Sequence, residues 1–271
     1  MNALHLGPFV LPWAPILLAV GYVLAVRVAA LARRRGAGNA EPALLPLLLL
    51  ALVAARAGFV LRHLDAYTGA WAMLDVRDRG FDMLTGVLAG VAGVAVWAWR
   101  RPALRGALMQ AAAAGLVVVV GGLALIRALQ APNPPLPALT LARVQGGTID
   151  LRALQGRPLV LNLWASWCPP CRRELPILAH AAMQNQAARF VLVDEGEPAQ
   201  RVAAYLRQAG LPTEPFALDP TGALASQYKA PGFPTTLFIA ADGTVQRMYI
   251  GELSAATLAQ GLTSIVPGAP R

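Results

Sequence analysis

Apolar positions come in long unbroken runs before about residue 131 and alternate with polar ones at short intervals after it. Four runs, at residues 9–32, 42–61, 83–99 and 107–129, approach the roughly 20 apolar residues that a bilayer-spanning helix needs. The spacing Gly86, Gly90, Gly93 permits close helix approach in the third. Past residue 138 the periods predict short strands and helices. Strands are expected at 139–144 and 148–151 around the turn Gly146-Gly147. The run at 159–164 is apolar at nearly every position, as in a central strand covered on both faces. A helix is expected over 168–185, kinked or restarted at Pro176. A strand at 190–193 and a helix starting at Glu197-Pro198 and running to Gly210 follow. Next come a strand at 216–218, a short helix at 221–228, and strands at 235–239 and 244–250 joined by Ala241-Asp242-Gly243. Ser254 caps a last helix over 254–265. The pattern predicts an α-helical membrane domain of four transmembrane helices (1–130), a Pro-rich linker (131–137) and an α/β domain (138–271).

Composition and charge sharpen this division. A hydrophobic fraction of 56% with 14% charged residues is too apolar for an ordinary soluble protein. Of the net charge of +9, the first 131 residues hold 12 arginines against 5 acids, and the rest 11 basic residues against 9 acids. The excess is therefore a topology signal. Arg33, Arg34 and Arg35 follow the first run and Arg100, Arg101 and Arg105 the third, so both short loops are expected in the cytoplasm. Four crossings then place both termini outside it. The first run has its charges after it and none before, unlike a cleaved signal peptide. No basic cluster falls on a soluble face, so no nucleic-acid partner is expected. Arg56 within the second run either faces protein or snorkels to the outer headgroups; Arg27 snorkels to the cytoplasmic side. Four prolines in Ala131-Pro132-Asn133-Pro134-Pro135-Leu136-Pro137 favour an extended spacer of roughly 20 Å.

The candidate chemistry is concentrated at one place. The two cysteines of the chain, Cys168 and Cys171, stand in Trp167-Cys168-Pro169-Pro170-Cys171, between the 159–164 strand and the following helix. Strand, tight loop and helix with a dithiol at the junction is the arrangement a thioredoxin-type redox site requires. A static bond across two residues closes a tiny loop and constrains little. A structural zinc wants more ligands than two cysteines, and His5, His63 and His180 are scattered; no metal and no cofactor beyond the redox-active disulfide is expected. In the oxidising compartment outside the cytoplasm such a pair can persist as a disulfide. The apolar runs contain no cysteine, so the membrane half cannot relay thiol electrons, and a separate membrane electron donor is implied.

Two resemblances add to this. Leu161-Asn162-Leu163-Trp164-Ala165-Ser166-Trp167-Cys168-Pro169-Pro170-Cys171-Arg172-Arg173-Glu174-Leu175-Pro176, with Gly196-Glu197 and Gly232-Phe233-Pro234-Thr235-Thr236, resembles the TlpA-like thioredoxin family of membrane-anchored thiol-disulfide oxidoreductases over residues 139–266. Leu6-Gly7-Pro8 with Trp13, Arg56-Ala57-Gly58-Phe59-Val60 and Thr85-Gly86-Val87-Leu88-Ala89-Gly90 resembles the N-terminal half of prolipoprotein diacylglyceryl transferase over residues 4–126. There, Ala14 and Thr85 replace functional residues of the family, so the half is expected to be a truncated scaffold without lipid chemistry.

The TlpA-like resemblance implies Cys168 as an exposed nucleophile at a helix N-terminus and Cys171 as the more buried resolving thiol. It implies a cis bond before Pro234 that frees the backbone of Phe233 for an incoming peptide. It also implies that Glu174 tunes the thiols and shuttles a proton, against the plain reading of an exposed helix charge. Trp167, Pro169, Pro170, Phe233 and Pro234 form the expected substrate-binding rim, and Trp164 packs in the core. Asn162 is read as a satisfied interior amide, Glu195 as a groove residue, and Glu197 as a groove residue or an N-cap. The expected protein is a multi-pass protein of the bacterial inner membrane, its thioredoxin-like domain in the periplasm, reducing envelope protein disulfides. Apocytochrome c and copper-binding proteins are the clients the resemblance implies. An oxidase or isomerase would use the same residues; a lipid-modifying transferase and a redox-switched membrane assembly factor are the readings from other classes.

Overall fold

The structure, a computed structural model, describes residues 3–6, 9–67, 69–129 and 134–266. It forms two compact units, Met1–Arg62 with Gly80–Ala131, and His63–Arg79 with Pro132–Arg271. The sequence division at residue 131 therefore misses one segment: residues 63–79 lie between two apolar helices in the chain yet belong to the second unit. Their charged and apolar residues alternate without a clear period, so no local pattern announced where they pack.

In the first unit a two-stranded ribbon, β1 (Ala3–Leu6) and β2 (Phe9–Pro12), leads into α1 (Trp13–Arg34) and α2 (Glu41–Arg62). The first helix thus starts at Trp13, four residues later than its hydropathy implied, because Pro12 suits a helix edge and not its interior. The short helix α3 (Ala70–Leu74) belongs to the other unit. Then come α4 (Met83–Arg100) and α5 (Arg105–Leu129). Among the described residues, four helices are long and apolar enough to cross a membrane. α1 packs on α5 and α2 on α4. Small residues set the distance: a Cβ on Gly21 would lie 2.9 Å from the Gly115 carbonyl oxygen, and one on Gly86 2.9 Å from the Ala55 Cβ. Arg56 faces protein, donating to the Gly80 carbonyl at 2.8 Å. Asp82 caps α4 by accepting from the Thr85 N–H at 2.7 Å.

The second unit is built on a seven-stranded sheet. Its strands are β3 (Thr140–Arg143), β4 (Thr148–Asp150), β5 (Leu159–Trp164), β6 (Arg189–Glu195), β7 (Phe216–Asp219), β8 (Thr235–Ile239) and β9 (Val245–Ile250), in the order β4-β3-β7-β6-β5-β8-β9. β5, β6 and β7 are parallel; β8 runs antiparallel to β5, and β9 antiparallel to β8 at the edge of the sheet. The helices are α6 (Pro169–Gln184), α7 (Ala199–Ala209), α8 (Ala223–Gln227) and α9 (Ala255–Thr263). Every residue of β5 is buried, and the two-residue period divides it. Val160 and Trp164 join Leu175, Leu178, Leu206 and Phe238 on one face. Leu159, Leu161 and Leu163 join Val191, Val193 and Leu237 on the other. Pro176 sits inside α6 without ending it.

The Pro-rich segment, expected as an extended spacer, is in part packed on the second unit. Its residues 131–133 lie outside the described part of the chain. From Pro134 onward the segment is part of the second unit: Leu136 is buried and its N–H donates to the Gly243 carbonyl at 3.2 Å. The Pro135 carbonyl accepts from the Tyr228 hydroxyl at 3.4 Å. One leucine among prolines had a core to enter, and burying it outweighed the extended spacer's freedom.

Candidate redox site

Central strand β5 ends at Trp164, and a four-residue bend delivers the chain to α6. Cys168 is the N-cap of α6: its sulfur accepts from the Cys171 N–H at 3.3 Å. Pro169 and Pro170 occupy the first two helical positions, where a missing N–H costs nothing. Cys168 and Cys171 are joined in a disulfide with their Cα atoms 5.3 Å apart. The Cys171 N–H and the helix dipole point at this sulfur, which favours a thiolate when the bond opens.

The exposed sulfur expected at Cys168 is not what the structure shows, since the residue is only 3% exposed. In the oxidised state it packs in the cluster that holds Trp164, Ala165 and Cys171. The exposure lies on Trp167, at 64%, whose ring meets Phe233 edge-on with centroids 6.0 Å apart. The Phe233–Pro234 peptide bond is cis, and the Pro234 carbonyl accepts from the Gly251 N–H at 2.9 Å. Pro169 is exposed and Pro170 half-buried. Trp167 and Phe233 are thus brought together, while Trp164 lies in the core with its ring against Tyr205 and Phe216.

Glu174, one turn beyond Cys171, is fully buried and so is not an exposed helix charge. Its Oε1 accepts from Asn162 Nδ2 at 2.8 Å, and its Oε2 from the Leu253 N–H at 2.7 Å. Burial pushes this carboxyl up to about 8; the two hydrogen bonds and the nearby Glu252 modify that shift without reversing it. Asn162 also donates to Thr236 Oγ1 at 2.9 Å, while its own Oδ1 has no partner among the described residues. It is therefore only partly the satisfied amide the sequence implied. A group that holds or releases a proton near neutrality thus sits on the helix of the disulfide.

A second set of acids supports the loop from the other side. Glu197 does not cap α7; Pro198 takes that position. Its carboxylate instead accepts from the Ser166 N–H at 2.5 Å and hydroxyl at 2.8 Å. Burial opposes ionisation of Glu197, but bonds from the Asp194 carboxyl and from Ser166 outweigh it and hold the group below its usual range. Burial and the facing Glu197 push Asp194 up to about 8. Glu195 is likewise raised to about 8, by burial and by Asp219. Sequence reasoning missed the Ser166–Glu197 bridge; its only signal was an acid directly after a glycine at a strand end. It also missed the Leu253 amide, which no side-chain pattern encodes. Among the described residues no group of three or more His, Cys, Asp or Glu side chains could hold a metal.

Residues 132–248 match the AhpC/TSA family. The thiol-disulfide oxidoreductase ResA of Geobacillus thermodenitrificans is 30% identical over 133 residues, covering 48% of this chain and 76% of that one. ResA of Bacillus subtilis is 28% identical over 134 residues, 49% of this chain and 74% of its own. The thiol:disulfide interchange protein CycY of Rhizobium leguminosarum is 30% identical over 127 residues, 47% of this chain and 62% of its own. Among solved structures, a secreted Mycobacterium tuberculosis disulfide oxidoreductase homologous to DsbE is 27% identical, with a TM-score of 0.43 over 47% of this chain and 96% of that one.

Proposed function

Because the chain belongs through its C-terminal half to the AhpC/TSA family and is a thiol-disulfide oxidoreductase, we propose that it reduces disulfides of extracytoplasmic proteins, anchored in the bacterial inner membrane by its four apolar helices. The observation that carries this reading is the Cys168–Cys171 disulfide capping α6, with Glu174 buried one turn below it. In the reduced protein the Cys168 thiolate attacks a sulfur of the partner disulfide. That bond breaks, one partner sulfur leaves as a thiolate, and Cys168 is held in a mixed disulfide. Cys171 then attacks the Cys168 sulfur, releasing the second partner thiolate and re-forming the Cys168–Cys171 bond. Two electrons have passed to the partner, and a separate membrane dithiol donor must restore them, since no cysteine lies outside this pair.

In its ionised form, to which it titrates near neutrality, Glu174 accepts the Cys171 proton when that thiol becomes the nucleophile and returns it on reduction; its position on α6 and its shifted titration support this role. Trp167, Pro169, Pro170, Phe233 and Pro234 form the surface on which the partner peptide lies, with the Phe233 backbone as its pairing edge. Envelope proteins with paired cysteines, of the kind the TlpA-like resemblance implies (apocytochrome c or copper-binding proteins), are the clients. The positive-inside distribution of Arg33–Arg35 and Arg100, Arg101 and Arg105 supports a periplasmic site. The helices act as an anchor without lipid chemistry: where the transferase family carries a histidine, Thr85 stands, its hydroxyl 2.5 Å from the Asp82 carboxylate.

A Cys171→Ala variant expressed in cells tests the reading. It should accumulate mixed disulfides through Cys168 with extracytoplasmic proteins. Adducts that survive removal of Cys168, or partners that are all cytosolic, would contradict the assigned order of attack or the topology. A reduction potential below that of its clients separates a reductase from an oxidase using the same residues.

A further inference from the structure

The stretch from Ile250 to Ser254 reaches the redox site at two points. Its Gly251 N–H donates to the Pro234 carbonyl at 2.9 Å, and its Leu253 N–H donates to Glu174 Oε2 at 2.7 Å. The same stretch is gripped from its other side by residues 78 and 79, which stand about 170 positions earlier in the chain. Arg79 Nη1 donates to the Ile250 carbonyl at 2.6 Å. The Ser254 hydroxyl donates to Asp78 Oδ2 at 2.7 Å, and the Tyr249 hydroxyl donates to the Asp78 carbonyl oxygen. Asp78 is 6% exposed, so these bonds are made away from competing water.

Local chemistry favours the arrangement. Ser254 is the N-cap of α9 and accepts from the Thr257 N–H at 3.2 Å, so the Asp78 carboxylate lies at the positive end of that helix. Arg79 has φ 51°, a conformation that non-glycine residues adopt rarely and keep only where surrounding contacts fix it. Its guanidinium lies over Gly251, where a Cβ would meet Nη1 at 3.4 Å. Nearby, the turn Leu64–Ala66 packs against α9. The segment 63–79 is therefore a strap on the redox module, drawn from between two apolar helices.

We propose that Asp78 and Arg79 are positioning residues for the dithiol site: they hold Ile250–Ser254 so that its amides fix the Pro234 carbonyl and the Glu174 carboxyl. This rests on the thiol-disulfide reading and on the role given there to Glu174. Besides the Leu253 amide, Glu174 is faced by Asn162 on β5, by Glu252, which is paired with Arg173 at 2.6 Å, and by Tyr249 on β9. Release of the strap loosens the Leu253 amide and removes a bond that favours the ionised carboxylate.

The test uses the full-length protein in detergent, comparing wild type with Asp78→Ala, Asp78→Asn and Tyr249→Phe. Asp78→Ala should speed hydrogen exchange at the Gly251 and Leu253 amides by about tenfold, leaving the β5 amides unchanged. It should also slow disulfide reduction at pH 7 and move the midpoint of its pH profile upward by about half a unit. Asp78→Asn keeps an acceptor for Ser254 and should restore most of both. Tyr249→Phe, which removes only a hydroxyl, should shift both readouts in the same direction by less, and it serves if Asp78→Ala does not fold. Faster amide exchange with an unmoved pH profile would make the strap merely structural and overturn the proposal, as would no change in either. A wild-type protein inert toward every disulfide would instead sink the reading on which the strap rests, and that result is read without any variant.

Discussion

Glu174 shows how one buried side chain ties stability to pH. Its carboxyl titrates at about 8 in the folded protein against 4.5 ordinarily, chiefly through burial. Between those values the native state keeps a proton that the unfolded chain has lost. Its contribution is thus fully present below about 4.5 and is lost as pH rises toward 8, at up to about 1.4 kcal/mol per pH unit. Glu174→Gln should remove one group's share of this slope in urea unfolding curves taken across the window. Asp194 and Glu195, raised for the same reason, keep the remainder. An unchanged slope in Glu174→Gln would mean that the carboxyl is ionised throughout. At this scale the sequence disclosed identity better than environment. Cys168, Cys171 and Pro234 could be picked out from their neighbours, but the hydrogen-bond donors of Glu174 are Asn162 and Leu253, 12 and 79 positions away.

Among the elements, β5 and α6 were legible because their signals are local. A run apolar at nearly every position read as a central strand, and the helical run leaving the two cysteines read as the helix that follows it; both elements are there. Glu197 illustrates the opposite case. Beside Pro198 it looked like a helix cap, and only the neighbouring β5–α6 bend showed Ser166 as its partner. In the first unit, the glycines of α4 were legible as a packing face, and the structure adds which ones bear contact. Gly86→Val should lower the unfolding midpoint in detergent, at a cost of about 1–3 kcal/mol, because its Cβ would meet Ala55 at 2.9 Å. Gly121→Val on α5, with nothing within 4 Å of its Cβ, should leave the midpoint nearly unchanged. Equal effects of the two substitutions would remove the case for close packing at Gly86.

For the whole molecule, hydropathy disclosed four long helices and an alternating α/β half, but not how the chain is shared between the compact units. Leu136 in the linker and Asp78 and Arg79 between two apolar helices all belong to the redox module, held by contacts distant in sequence. Such contacts leave no period in the chain, which is why a break at residue 131 looked sufficient. What remains central is the dithiol itself. The direct measurement is to reduce the full-length protein, remove the reductant, mix it with a peptide disulfide, and count free thiols in both over time. Each protein molecule should lose two thiols as one peptide disulfide opens, and Cys168→Ser should open none by turnover. Thiols that persist in the wild type, or a Cys168→Ser protein that reduces peptide as fast, would contradict dithiol exchange.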